Sequence, residues 1–128
     1  PVIHLCQRGG PDRRAQFTTF GTIESAGQRY DHDVVIDGGK IRQRVKKASK
    51  AYRAADGHTP LSLAENLPWG RQLIVGVGRY GRLPVLPEVS QEAARRKVER
   101  VVVPTEAACR LLADQKDQDV YAVLHVTC

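Results

Sequence analysis

Apolar and polar residues follow two different rhythms along this chain, and the change between them divides it. Residues 17–24 and 30–37 are β-leaning runs, and Ser25-Ala26-Gly27-Gln28 between them has the length and turn chemistry of a hairpin connection. A second tight turn at Gly38-Gly39 leads into 40–45, where Ile41, Gln43 and Val45 alternate with basic residues at a period of two. The same stretch fits a helix, because Ile41, Val45, Ala48 and Tyr52 fall on one helical stripe; a strand followed by a loop is preferred. A short first strand is expected at 2–6.

Beyond this β-rich third, strands and helices alternate. Ser62-Leu63-Ala64-Glu65 has the spacing of a capping box, predicting a short helix from Ser62 that Pro68 ends. Leu73-Ile74-Val75 reads as a buried strand running into the loop Gly76-Val77-Gly78-Arg79-Tyr80-Gly81-Arg82. Pro84 and Pro87 are expected to hold the chain out of regular structure until Ser90 caps a helix over 91–98, whose basic end suits the helix dipole. A strand at 101–103 stops at Pro104, and Thr105 is a good N-cap for a helix over 106–115 with an apolar stripe of Ala108, Leu111 and Leu112. The last strand, 120–127, carries Val120, Ala122, Leu124 and Val126 on one face, and Tyr121, Val123, His125 and Thr127 on the other; cover on both sides is expected. This pattern predicts an α/β sheet with at least partly parallel strands.

Composition narrows the class. A length of 128 residues suits one domain, 1–128. No apolar run approaches the roughly 20 residues a membrane span needs, and the amino terminus does not read as a signal peptide, so a cytoplasmic protein without membrane association is expected. Cys6, Cys109 and Cys128 form neither a CxxC nor an even-numbered disulfide set, which fits a reducing compartment. The formal charge is +6, and the excess is concentrated: Lys40, Arg42, Arg44, Lys46, Lys47, Lys50 and Arg53 occur with no acid between Gly38 and Ala55.

The glycine loop locates the candidate chemistry. Glycine loops at strand carboxyl ends are where α/β proteins place ligands. If the 73–75 and 101–103 strands are parallel neighbours, Gly76, Gly78, Arg79, Gly81 and Arg82 meet Thr105 and Glu106 at the start of the last helix. Backbone amides and guanidinium groups there would hold a carboxylate or phosphate, with Glu106 as acid or base. The plain alternative is that the glycines permit tight packing and Glu106 complements the helix dipole. The loop lacks the GxGxxG spacing of a dinucleotide fingerprint and the lysine–hydroxyl pair of a Walker loop, so no cofactor is implied. His125 and Cys128 raise the thought of an activated thiolate, yet in a strand they point to opposite faces. His4 with Cys6, and His32 with Asp31 and Asp33, lack a fourth metal ligand at recognisable spacing. The basic patch of Arg42, Arg44, Lys46, Lys47, Lys50 and Arg53 reads as a solvated face, a docking site for an acidic partner, or a phosphate-binding surface; only Tyr52 offers a stacking platform there.

Several of these segments, taken in order, resemble the Mth-nine-three-eight-like family, also known as domain of unknown function four-nine-eight. The resemblance spans nearly the whole chain. It is carried by Phe20-Gly21-Thr22-Ile23, Tyr30 with Asp33-Val34-Val35-Ile36, His58 and Leu61, the strand and glycines from Leu73 to Gly81, Pro104-Thr105-Glu106-Ala107, and the ending Leu124-His125-Val126-Thr127-Cys128. It implies a three-layer α/β fold around a mixed central sheet, with helices on its faces and an additional amino-terminal β hairpin. Family members include an adipogenesis-associated human protein and a mitochondrial factor for respiratory complex I assembly. Many relatives carry a tryptophan after the third strand, where this chain has Tyr52.

The expected function is non-enzymatic binding or assembly, holding an acidic protein segment or a small anion. Its competitors are a small-molecule enzyme at the glycine loop and nucleic-acid binding through the basic segment. A monomer or small homo-oligomer is expected, since no heptad or long apolar face marks an interface.

Overall fold

A computed structural model describes residues 16–19, 22–25, 28–30, 32–52, 59–112, 115 and 119–126. The expected strand at 2–6 lies outside these residues, as do Arg53 and Cys128.

The chain is an α/β protein built on a mixed five-stranded sheet with a helix on each face. Its strands are β4 (Val34–Asp37), β5 (Lys40–Gln43), β6 (Gln72–Gly76), β7 (Glu99–Val103) and β8 (Tyr121–Leu124), in the order β5-β4-β8-β6-β7. β8 is parallel to β6 and antiparallel to β4, while β6 and β7 are parallel. A second, three-stranded antiparallel sheet precedes it: β1 (Gln16–Thr19), β2 (Thr22–Ser25) and β3 (Gln28–Tyr30).

This small sheet corrects the reading of 17–24 as one strand. The run folds back on itself, with Thr19 opposite Thr22 and Gln16 opposite Glu24. The Ser25–Gln28 turn therefore joins β2 to β3, and 34–37 goes to the larger sheet instead. Sequence alternation marks β structure but does not say where a run reverses or which sheet a strand joins.

The central strands carry unbroken apolar runs, Val34 to Ile36, Leu73 to Val75 and Ala122 to Leu124, because both faces are covered there. Val34, Ile36, Ile74, Ala122 and Leu124 pack on one side with Ala108, Cys109 and Leu112 of helix α2 (Thr105–Leu112). Val35, Leu73, Val75 and Val123 pack on the other with Leu61, Leu83 and Val89, the last from helix α1 (Pro87–Arg95). The two-faced reading of 120–127 holds across β8.

Two helix boundaries differ from expectation. α1 begins at Pro87, not after Ser90: proline's missing N–H costs nothing in a first turn, and Glu88 lies there with the dipole. No helix forms at Ser62. Residues 63–65 make only a turn, in which the Ala64 N–H donates to Ser62 Oγ at 3.2 Å and the Glu65 N–H to the Ser62 carbonyl at 3.3 Å. The Glu65 carboxylate that a capping box would turn back to the chain is drawn elsewhere. The 40–45 strand stands as β5, followed by a 3₁₀ helix at Lys47–Tyr52. Among the described residues, no helix is long and apolar enough to cross a membrane.

Candidate functional site

The parallel strands bring the predicted crevice together at the carboxyl edge of the sheet. The Val77 N–H donates to the Val103 carbonyl at 2.9 Å, so the chain leaving β6 runs beside the chain entering α2. Gly76 is required there: a Cβ on it would stand 2.9 Å from Thr105 Oγ1 and 3.0 Å from Thr105 Cα. Gly78 and Gly81 have φ of 98° and 70°, the left-handed region where a side chain is strained.

The Val77, Gly78 and Gly81 amides of this loop are engaged within the protein. The Gly78 N–H donates to Thr105 Oγ1 at 2.8 Å, and the Thr105 N–H to the Gly78 carbonyl at 3.1 Å. The Gly81 N–H reaches the Gly78 carbonyl at 3.3 Å. Arg79 and Arg82 are exposed, and Glu106 points to solvent with its carboxylate 3.7 Å from Arg110. Thr105, expected as a helix cap, instead ties two strands: its hydroxyl donates to the His125 carbonyl at 2.6 Å while accepting from Gly78. Such a bridge explains a fully buried threonine at a helix start.

That bridge continues into a buried ionic cluster. The His125 N–H donates to the Gly76 carbonyl at 2.9 Å, and its Nδ1 lies 2.8 Å from Asp33 Oδ2. An ionised carboxylate only accepts, so Nδ1 carries the proton in this pair. The Val126 N–H adds a bond to Asp33 Oδ1 at 3.1 Å. On the other side of Asp33 stands Arg44, whose Nη1 donates to Oδ2 at 2.9 Å. Its Nε and Nη2 grip Glu65 as a fork, at 2.8 and 2.7 Å, and Nη2 also reaches the Pro60 carbonyl at 3.1 Å. Ser49 Oγ donates to Glu65 Oε2 at 2.6 Å and lies 2.6 Å from Ser62 Oγ.

Arg44 is the main correction to the basic patch. Read as part of a solvated face, its side chain is 1% exposed, against 7% for Asp33 and 4% for Glu65. A guanidinium supports two carboxylates at such burial because its planar fork satisfies one of them bidentately. Burial works against the charge on Asp33. The hydrogen bond and charge of His125, the Val126 amide and the Arg44 charge outweigh it and hold the carboxyl below its ordinary range. Desolvation likewise opposes the Arg44 charge, yet Glu65 and Asp33 raise its pKa above the usual value.

The cluster supports a surface. Ser49 is the buried residue of the 3₁₀ helix, so its bonds hold that helix down while Lys46, Lys47 and Lys50 stay exposed. Val45 and Tyr52 are 65% and 49% exposed among these lysines. Arg42, half-buried, donates to the Asn66 carbonyl at 2.6 Å and borders a cleft of about 350 Å³ with Val35, Val45, Ala48 and Ala64. A smaller cleft of about 150 Å³ opens over the histidine–aspartate pair and is also lined by His32, Gln43 and Lys46. A wider cleft, about 750 Å³, lies at the other end of the sheet by Gly70, Arg71 and Tyr121; on its wall Gln72 donates to Glu99 and accepts from Gln115.

Asp33, Ser49, Glu65 and His125 were not grouped by sequence reasoning, since 92 residues separate Asp33 from His125. One signal is present in the sequence: the Ser62 and Glu65 spacing marks both residues, though not their partners. Among the described residues, no group of three or more His, Cys, Asp or Glu side chains is placed to hold a metal ion.

The fold and this edge define an α/β protein whose parallel strand ends are closed by Thr105 and His125. No family model and no curated protein matches the chain. Among solved structures it is similar to the conserved hypothetical protein PH1505 from Pyrococcus horikoshii OT3, with 31% identity, a TM-score of 0.69, and 89% of this chain and 98% of that chain covered. It is also similar to MT938, at 22% identity and a TM-score of 0.58, over 86% of this chain and 94% of that one. The chain belongs to one family with the Pyrococcus protein; the likeness to MT938 is one of fold.

Proposed function

We propose that this is a non-enzymatic binding protein of the Mth-nine-three-eight-like family, acting in the cytoplasm, which holds an acidic protein segment on the face formed by residues 42–52. The observation that carries this reading is the pairing of a rigid underside with a cationic outside. Arg44, Ser49 and Glu65 anchor the segment, so Lys46, Lys47 and Lys50 are presented around exposed Val45 and Tyr52 with little ordering left to do on binding. Clustered charge steers an acidic partner, and the apolar positions supply contact area. Nucleic acid fits less well, because Tyr52 is the only aromatic residue in the basic run.

The test is fluorescence anisotropy of labelled acidic peptides against the protein and its Lys46→Glu/Lys47→Glu/Lys50→Glu variant. Binding that weakens with salt and drops in the variant supports the reading. Equal binding by both proteins would overturn it.

The histidine–aspartate pair favours a second reading, a small-molecule enzyme for an anionic substrate. In this role His125, oriented by Asp33, is the acid or base, a better-placed group than solvent-facing Glu106. Turnover abolished in His125→Gln, with substrate binding retained, would establish it.

A further inference from the structure

We propose that the acidic segment docks as an added strand on the outer edge of β5, which no described strand covers; this rests on the binding reading above and specifies its geometry. Among the described residues, β5 ends the five-stranded sheet and pairs with β4 alone. The pairing register fixes which backbone groups look outward. The Arg44 N–H donates to the Asp33 carbonyl at 2.8 Å, making those residues a hydrogen-bonded pair. In an antiparallel ladder such pairs recur at every second residue, so Arg42 with Val35 and Lys40 with Asp37 also bond. Ile41 and Gln43, opposite Ile36 and Val34, are then the non-bonded positions. Their N–H and C=O groups point away from β4, toward the open edge. Val34 and Ile36 are correspondingly the β4 residues whose backbone faces β8.

An edge of this kind binds extended chains through backbone hydrogen bonds, with side-chain pockets at alternate positions giving the choice of partner. Charge decides the occupant. Lys40 and Arg42 project on the face they share with Val35, and Ile41 on the opposite face against the apolar core. A docked strand must therefore alternate acidic residues, opposite Lys40 and Arg42, with apolar residues beside Ile41. The flanking Lys46, Lys47 and Lys50 extend the same preference beyond the strand. A second copy of this chain is a poor occupant, because β5 against β5 sets like charges together.

Hydrogen exchange read residue by residue tests this, using a blocked peptide in which glutamate alternates with valine. In the free protein the Ile41 and Gln43 amides are expected to exchange fast, and the Arg42 amide, bonded to β4, slowly. Saturating peptide is expected to slow Ile41 and Gln43 by about tenfold or more. Peptides N-methylated at alternate positions sharpen the result: methylation of the amides facing β5 abolishes binding, and methylation of the other set leaves it intact. Peptide that binds without protecting Ile41 and Gln43 would overturn strand addition while leaving the basic face as the binding surface. Absence of binding by any acidic peptide would overturn both. Arg42→Glu, on a half-buried side chain, is expected to lose the protection without loss of folding, which the unchanged Arg42-to-β4 neighbours' exchange would verify.

Discussion

Two arginine–carboxylate clusters in this protein use the same chemistry in opposite settings. At the surface, Glu92 of α1 bonds both Arg95 and Arg96, and Arg96 also lies over the Trp69 ring, 5.0 Å from its centre. In the interior, Arg44 serves both Asp33 and Glu65. The surface cluster has two cations for one acid, and its ion pairs link residues three and four apart at the end of α1. The buried one has two acids for one cation and joins β4, the end of β5, the 59–65 loop and the residue after β8. Water screens the first, so its geometry organises little beyond its own turn. Nothing replaces the second if one member is lost. The same pair of residue types is therefore decoration in one place and a tertiary tie in the other.

Breaking the buried cluster should give the largest effect. Arg44→Ala leaves buried Glu65 with no cation and takes from Asp33 its guanidinium partner, leaving it His125 and the Val126 amide, and is expected to cost about 3–5 kcal/mol, measured by urea unfolding. Removing all the charge together should cost far less: Arg44→Met with Asp33→Asn and Glu65→Gln is expected to recover most of that loss. A triple variant as unstable as Arg44→Ala would show that specific bonds, and not unpaired charge, dominate.

Next in size is the bridge beside it. Thr105→Val removes a hydroxyl that serves both the Gly78 N–H and the His125 carbonyl, leaving both buried groups without that partner. A loss of about 1–3 kcal/mol is expected from the same unfolding assay. Thr105→Ser, which keeps the hydroxyl, should lose less.

Acid separates the clusters further. Asp33 has a folded pKa below its ordinary 3.8, so the unfolded state takes up protons first as pH falls. Its stabilising contribution is complete above the ordinary carboxylate range and disappears as pH drops through the lower folded value. The stability gap between wild type and Asp33→Asn should accordingly be constant near neutrality and shrink below about pH 4. A gap independent of pH would mean that Asp33 acts through packing alone.

The smallest effect belongs to the surface. Glu92, whose carboxyl is lowered to about 2 by bonds from Arg95 and Arg96, sits where salt competes. Glu92→Gln should leave the unfolding midpoint within experimental error. In an NMR titration the Glu92 pKa should rise toward its usual value as salt is added. A midpoint shift rivalling that of Thr105→Val would erase the contrast between the clusters.

How far the sequence could be read followed the range of the interactions. Buried strands at 34–36, 73–75 and 122–124 were legible because covering a strand on both faces requires an unbroken apolar run. The meeting of Gly76 and Gly78 with Thr105 was legible as well, once parallel neighbours were assumed. Arg44 was not. An arginine among lysines reads as surface until its partners are known, and these come from positions 33 and 65. Ser62 and Glu65 misled for the same reason: their spacing matches a local cap, and a distant guanidinium outbid the nearby amide.

By itself, then, the amino-acid order determined the strand and helix types, the two-faced core, the glycine-lined edge and the concentration of positive charge, since each depends on periodicity or composition within a few residues. Only the tertiary structure decided that β8 lies between β4 and β6, that Arg44 is inside while Lys46 is outside, and that His125 meets Asp33. Those outcomes depend on pairings across tens of residues, where burial makes each charge's partner, and not its neighbours in sequence, the determinant of its energy.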